Sequence, residues 1–135
     1  MIYLLDSNAV RDLMDQHPRL SDRAARVTPP DSVAACSVVR GEVLFGIERL
    51  PAGRRRDVLA RRAAAVFGSL AAEHVPYAAG ADYSRLKHAR ERAGLPMDEN
   101  DLWLAATAAA LGATVVTRDS DFRGTPGLMV EDWTI

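Results

Sequence analysis

Residues 2–8 read Ile2-Tyr3-Leu4-Leu5-Asp6-Ser7-Asn8. This is a short apolar run that ends abruptly in a carboxylate. From about Asn8 to Asp15 the pattern turns helical, and Pro18 is expected to stop that helix. The same succession recurs along the chain. Ser32–Cys36 is a second β-like run, reached through a turn at Pro29-Pro30-Asp31. A helical stretch follows it from about Val38 to Arg49. The spacing of Val58/Leu59, Arg62/Ala63, Val66/Phe67 and Leu70 then predicts a long amphipathic helix from about Arg54 to Glu73. His74-Val75-Pro76 reads as a short strand, at a sheet edge because of its proline. Gly80 to Ala93 is helical, with Gly94 as its stop. Asp98–Leu111 is a further helix, with Asp98 as N-cap and Gly112 just past its end. Ala113–Thr117 is a β-branched fourth strand, and Leu128-Met129-Val130 a fifth. Alternation of this kind predicts an α/β domain with a mostly parallel sheet of four to five strands flanked by helices.

The bulk properties bound the answer from outside. A chain of 135 residues is one domain's worth, so residues 1–135 are read as a single domain. Apolar residues make up 48% and charged residues 26%, which excludes disorder as the main state. No apolar run approaches the ~18 residues a membrane span needs. The N-terminus meets Asp6 without a basic region, unlike a signal peptide, so a cytoplasmic chain is expected. One cysteine, Cys36, excludes an internal disulfide and a Cys-based zinc site. Its neighbours, Val33, Ala34, Ala35 and Ser37, mark it as a small buried hydrophobe.

Net charge is −1, so the chain is not basic overall. Its cations are unevenly placed. Lys87 is the only lysine, and Arg49, Arg54, Arg55, Arg56, Arg61 and Arg62 fall close together with one acid, Asp57, among them. Guanidinium groups suit phosphate. A solvated helix face is the plainer reading of the same run.

The carboxylates carry the chemistry. Asp6 ends the first strand, and Asp119 and Asp121 follow the fourth. Glu42 lies early in the helix after the second strand, and Asp101 in the first turn of the helix that feeds the fourth. In parallel sheets, sites form at the carboxyl ends of the strands, so Asp6, Glu42, Asp101 and Asp119 are expected to share one crevice. Taken singly, Glu42 and Asp101 also complement a helix dipole, and Asp119 and Asp121 also suit turns. Taken together they need neutralising, because two carboxylates ~4 Å apart repel by about 4 kcal/mol at an effective dielectric of 20. A shared proton serves for a pair; a hard divalent cation serves for all. No His stands at these strand ends, since His17, His74 and His88 are scattered, which argues against zinc. An all-oxygen site points to Mg²⁺ or Mn²⁺ and suits phosphodiester hydrolysis.

Four stretches resemble motifs of the PIN-domain family. They are Ile2 through Asn8; Ser37 through Glu42; Gly94-Leu95-Pro96 leading into Asn100 through Ala108; and Thr117 through Phe122. The close, Pro126 through Trp133, is also similar. The match runs in order along essentially the whole chain, and its length and third motif look like the VapC toxins of bacterial toxin–antitoxin pairs. The resemblance implies a three-layer PIN-like fold. It implies a Mg²⁺-dependent endoribonuclease that cuts structured RNA and arrests translation, with Mn²⁺ as a possible substitute. It further implies a homodimer held inactive by a small VapB-type antitoxin. Asp6, Glu42, Asp101 and Asp119 would then be the acidic quartet. Asp6, Asp101 and Asp119 would be the metal ligands, and Glu42 would position a water or a second metal. Asp121 would be an auxiliary acid. Asn8, Asn100 and Thr117 would orient acids through hydrogen bonds, and Ser7 stands where Thr is commoner. Arg54, Arg55, Arg56, Arg61 and Arg62 would meet RNA phosphate or an antitoxin.

Other readings remain open at this stage. A non-catalytic binding or regulatory module would keep the acids without turnover. A DNase would use the same carboxylates, which read phosphate and not sugar. A phosphotransfer domain fits poorly, because Asp6 is followed by Ser7-Asn8 and Lys87 lies within a helix. The eight aromatic residues argue against a broad base-stacking platform.

Overall fold

The computed structural model describes residues 1–135. Five strands form one sheet: β1 (Ile2–Leu5), β2 (Ser32–Cys36), β3 (Ala71–Glu73), β4 (Thr114–Val116) and β5 (Met129–Glu131). Their order is β3-β2-β1-β4-β5, and every neighbouring pair is parallel. Six helices flank it: α1 (Ser7–Met14), α2 (Pro18–Ala25), α3 (Ser37–Glu48), α4 (Arg54–Ser69), α5 (Ala79–Arg92) and α6 (Glu99–Leu111). The expected α/β architecture is therefore present, with five strands, the third of them formed by other residues than expected.

The sheet is parallel because its central strands are apolar on both faces. Leu4, Leu5, Ala34, Cys36, Val115 and Val116 are all buried. Helices supply the covering faces, such as Ala9, Val10 and Met14 of α1 and Val39, Val43 and Ile47 of α3. The α6 helix is buried nearly all round, from Leu104 through Ala108, and its alanines let it lie close in the core. It ends on Gly112, whose φ of 65° is left-handed, a conformation that costs glycine least. Cys36 is fully buried, and burial pushes its thiol pKa up, as a small core residue should behave.

Three expectations are corrected. Pro18 does not end a helix; it begins α2 at a position where its missing N–H costs nothing, with His17 Nδ1 accepting from the Leu20 amide. The long helix stops at Ser69, not Glu73. Leu70 is extended, and Ala71–Glu73 pair with Ala34–Cys36 as β3. Helix-favouring alanines yield there to the open edge of β2. His74-Val75-Pro76 accordingly follows the edge strand instead of forming it.

The order of the strands places the site. From β1 the chain steps outward to β2 and β3, then returns to the other side of β1 as β4 and β5. The reversal lies between β1 and β4, where an open parallel sheet presents its crevice.

Candidate active site

Asp6 follows the last residue of β1 and caps α1. One of its carboxylate oxygens accepts from the Ala9 amide at 2.8 Å, and the other accepts from Thr117 Oγ1 at 2.5 Å. Thr117 follows β4, and its Oγ1 also accepts from the Asp119 amide at 2.9 Å. A single hydroxyl thus ties the acid after β1 to the acid after β4. Asp6 is 4% exposed. Burial raises its carboxyl pKa, and the Thr117 and Ala9 hydrogen bonds offset part of that rise.

Glu42 lies in the second turn of α3. Ser7 Oγ donates to one of its oxygens, and Asn100 Nδ2 donates to the other at 3.0 Å. Three elements therefore hold this carboxylate: α1, α3 and the first turn of α6. Asp98 caps α6 by accepting from the Asn100 amide at 3.2 Å. Asp101 follows in that turn, and its carboxylate accepts no hydrogen bond from the protein.

Asp6, Glu42, Asp98, Asp101 and Asp119 line one open crevice of about 430 Å³ at the carboxyl edge of the sheet. None of the five is in an ion pair. Their mutual repulsion is legible in Asp101, whose pKa is pushed up to about 7 by burial first, then by Asp98, Glu42, Asp119 and Asp6. A first-turn aspartate would ordinarily be favoured as an anion; here burial and the neighbouring acids together outweigh the helix.

The expected quartet is thus brought together, and Ser7, Asn8 and Asn100 line the crevice with it. Asp121 does not. Its amide donates to Asp119 Oδ1 in the 3-10 turn Ser120–Phe122, and its side chain is exposed outside the crevice. Of the arginine run, Arg49 alone lines the crevice, and the others lie elsewhere. Arg55 lines an adjoining groove, Arg56 pairs with Glu48, and Arg54, Arg61 and Arg62 are exposed along α4. Sequence reasoning missed Asp98, which it took as a helix cap alone. It also missed Arg11, Phe45 and Gly46, which reach the crevice from α1 and α3. The i, i+3, i+4 spacing of Glu42, Phe45 and Gly46 was the available signal for the latter pair.

The donor set is all oxygen, which fits a hard divalent cation. Asp101 carries a free carboxylate, and Asp6 and Asp119 stand on either side of Thr117. No group of three acids forms a ready-made metal cage, so an ion that keeps part of its own hydration suits the site. Chemically, the crevice offers concentrated negative charge that a cation can offset and two carboxylates held through both oxygens, Asp6 and Glu42.

Known proteins resemble this chain in sequence and in fold. A family model described as PIN domain matches residues 3–128. The chain is 26% identical over 140 residues to Ribonuclease VapC1 of Haemophilus influenzae (strain R2866), spanning 99% of each protein. It is 32% identical over 100 residues to Ribonuclease VapC5 of Mycobacterium tuberculosis, spanning 73% of this chain and 72% of that protein. Among solved structures, a chain of VapBC2 from Rickettsia felis, bound to a DNA fragment from its promoter, superposes with a TM-score of 0.89. That chain is 25% identical, and the match covers 98% of this chain and 99% of that one.

Proposed function

This chain belongs to the PIN-domain family and, within it, to the VapC proteins; from that premise we propose that it is a Mg²⁺-dependent endoribonuclease toxin of a toxin–antitoxin pair. It hydrolyses phosphodiester bonds of structured RNA and so inhibits translation. A VapB-type antitoxin neutralises it, and it works as a homodimer. The observation that carries this reading is the crevice with five carboxylates and no ion-pair partner for any of them. A protein that only bound RNA phosphate would have little use for such a concentration of negative charge.

Asp6, Asp101 and Asp119 would hold the cation. Mg²⁺ bound there would act as a Lewis acid, acidifying water and offsetting charge on the phosphate. The chain's own groups do the rest. Thr117 holds Asp6 in one orientation and offsets part of the rise in its pKa that burial brings. Ser7 and Asn100 hold Glu42 from opposite oxygens, leaving lone pairs to accept a proton from the attacking water. Asp101 enters the reaction ionised, so its proton leaves when a cation enters.

The test is cleavage of total cellular RNA by wild type and Asp6→Asn, each with Mg²⁺, Mn²⁺ or EDTA. Discrete fragments that require the metal and vanish in the variant are expected. Folded wild-type protein, freed of any antitoxin, that cuts nothing under these conditions would overturn the reading.

A further inference from the structure

Glu42, Phe45, Gly46 and Arg49 stand at i, i+3, i+4 and i+7, so they form one stripe along α3. All four line the acidic crevice. Phe45 is the only apolar side chain in that lining, and it is 64% exposed. A lone exposed phenylalanine is ordinary. What distinguishes this one is its company. The Arg49 guanidinium carbon lies 5.8 Å from the centre of the Phe45 ring. From α1, the Arg11 guanidinium lies over Gly46, with Nη2 3.7 Å from where a β-carbon would sit. Neither Arg11 nor Arg49 is in an ion pair, although five acids line the same crevice. Both also line the adjoining groove, where Arg55 is likewise unpaired.

We propose that this stripe seats an unpaired nucleotide beside the bond that is cut, with its base stacked on Phe45 and its phosphates on Arg11 and Arg49. The proposal rests on the nuclease reading of the acids and adds Phe45, Arg11 and Arg49 as residues that position the substrate of that site. Charge complementarity selects the occupant. Acids that gather a cation stand at one end of the stripe, and free guanidinium groups that suit phosphate stand at the other. An exposed ring lies between them. A base lies flat on a protein ring only when it has left its helical stack, so the cut falls in a loop or a single-stranded segment. A phenylalanine offers a π-face and no hydrogen bond. The nucleotide is therefore held whatever its base, and lost when the base is absent. The path continues past Arg11 and Arg49 toward Arg55.

The test uses RNA hairpins cut in the loop, with an abasic residue placed on either side of the cut. Wild type, Phe45→Leu, Phe45→Trp and Arg11→Gln are compared by steady-state kinetics, and binding to the same RNAs is followed by fluorescence anisotropy in EDTA. Phe45→Leu is expected to raise KM roughly 5- to 150-fold with little change in kcat, the factor that loss of one stacked base brings. Phe45→Trp restores KM. One abasic position costs wild type the same factor and costs Phe45→Leu nothing further. Arg11→Gln lowers the slope of log affinity against log salt by about 0.7, one phosphate contact on a single strand. An unchanged KM in Phe45→Leu, or an abasic penalty that persists in that variant, overturns the proposal. If wild type still cuts RNA in that case, the ribonuclease reading stands, and Phe45 is left as an anchor for a protein partner. If wild type neither cuts nor binds any RNA, both readings fall.

Discussion

Thr117 Oγ1 donates a 2.5 Å hydrogen bond to Asp6 Oδ2 across 111 residues of sequence, and both groups are buried. This contact sits at the point where the strand order reverses, between the ends of β1 and β4. Thr117→Val keeps the shape and removes the donor. The Asp6 carboxyl loses a bond that lowers its pKa, and the Asp119 amide loses its acceptor. Cleavage should fall about 10- to 100-fold, the usual effect of removing a group that orients a metal ligand. Thr117→Ser should recover most of it. Equal rates for Val and wild type would show that Asp6 needs no such support.

Asp101 makes stability depend on pH. Its folded pKa of about 7 stands above the ~3.9 of an unfolded aspartate. For an acid with a raised folded pKa, the stabilising contribution is fully present below about pH 4 and is lost as pH rises through about 7. In EDTA, the Tm of wild type relative to Asp101→Asn should therefore fall steadily from pH 4 to pH 8. Taking the difference removes shared contributions such as Asp132, whose lowered pKa acts in the opposite sense. Adding Mg²⁺ at pH 8 should raise the wild-type Tm and leave the variant's nearly unmoved. A Tm difference that stays flat with pH would refute the account of the site's electrostatics.

The grip on Glu42 yields a separate expectation. Asn100→Ala removes the donor to one oxygen, and Ser7→Ala the donor to the other. Each alone should lower kcat with little effect on KM, because Glu42 is held and not created by these groups. The double variant should lose less than the product of the two, since both act through one carboxylate. Strict multiplicativity in single-turnover rates would argue that Ser7 and Asn100 work independently of Glu42.

Core and site meet at Phe122. This ring is fully buried and closes the 3-10 turn whose Asp121 amide donates to the Asp119 carboxylate. Phe122→Ala should cost about 3–5 kcal/mol in urea unfolding and weaken cleavage as well, because the turn that aims Asp119 loses its anchor. Full stability in the variant would mean the cavity collapses without cost.

Much of this arrangement was open to reading along the chain. Asp6, Glu42, Asp101 and Asp119 fell where a parallel sheet would gather them, near the carboxyl ends of its strands. Gly112 and Asp98 marked the ends of α6 correctly. Where the reading failed, two local signals competed. Pro18 is compatible with either end of a helix. The alanines after Leu70 are good helix formers, yet they sit on a strand edge.

By itself the sequence determined the alternation of strand and helix, the acids at the strand ends and the likeness to a family. These follow from periods of two and near four residues, which are properties of short windows. Only the tertiary structure decided the rest: that β3 is Ala71–Glu73, that Asp98 joins the crevice and Asp121 does not, and that Arg11 and Phe45 face it. Those outcomes depend on distances between residues far apart in the chain. Such distances are set by strand order and by the packing of α1 against α3 and α3 against α6. Packing of that kind is settled by the whole core at once, because a close-packed interior allows its helices few positions.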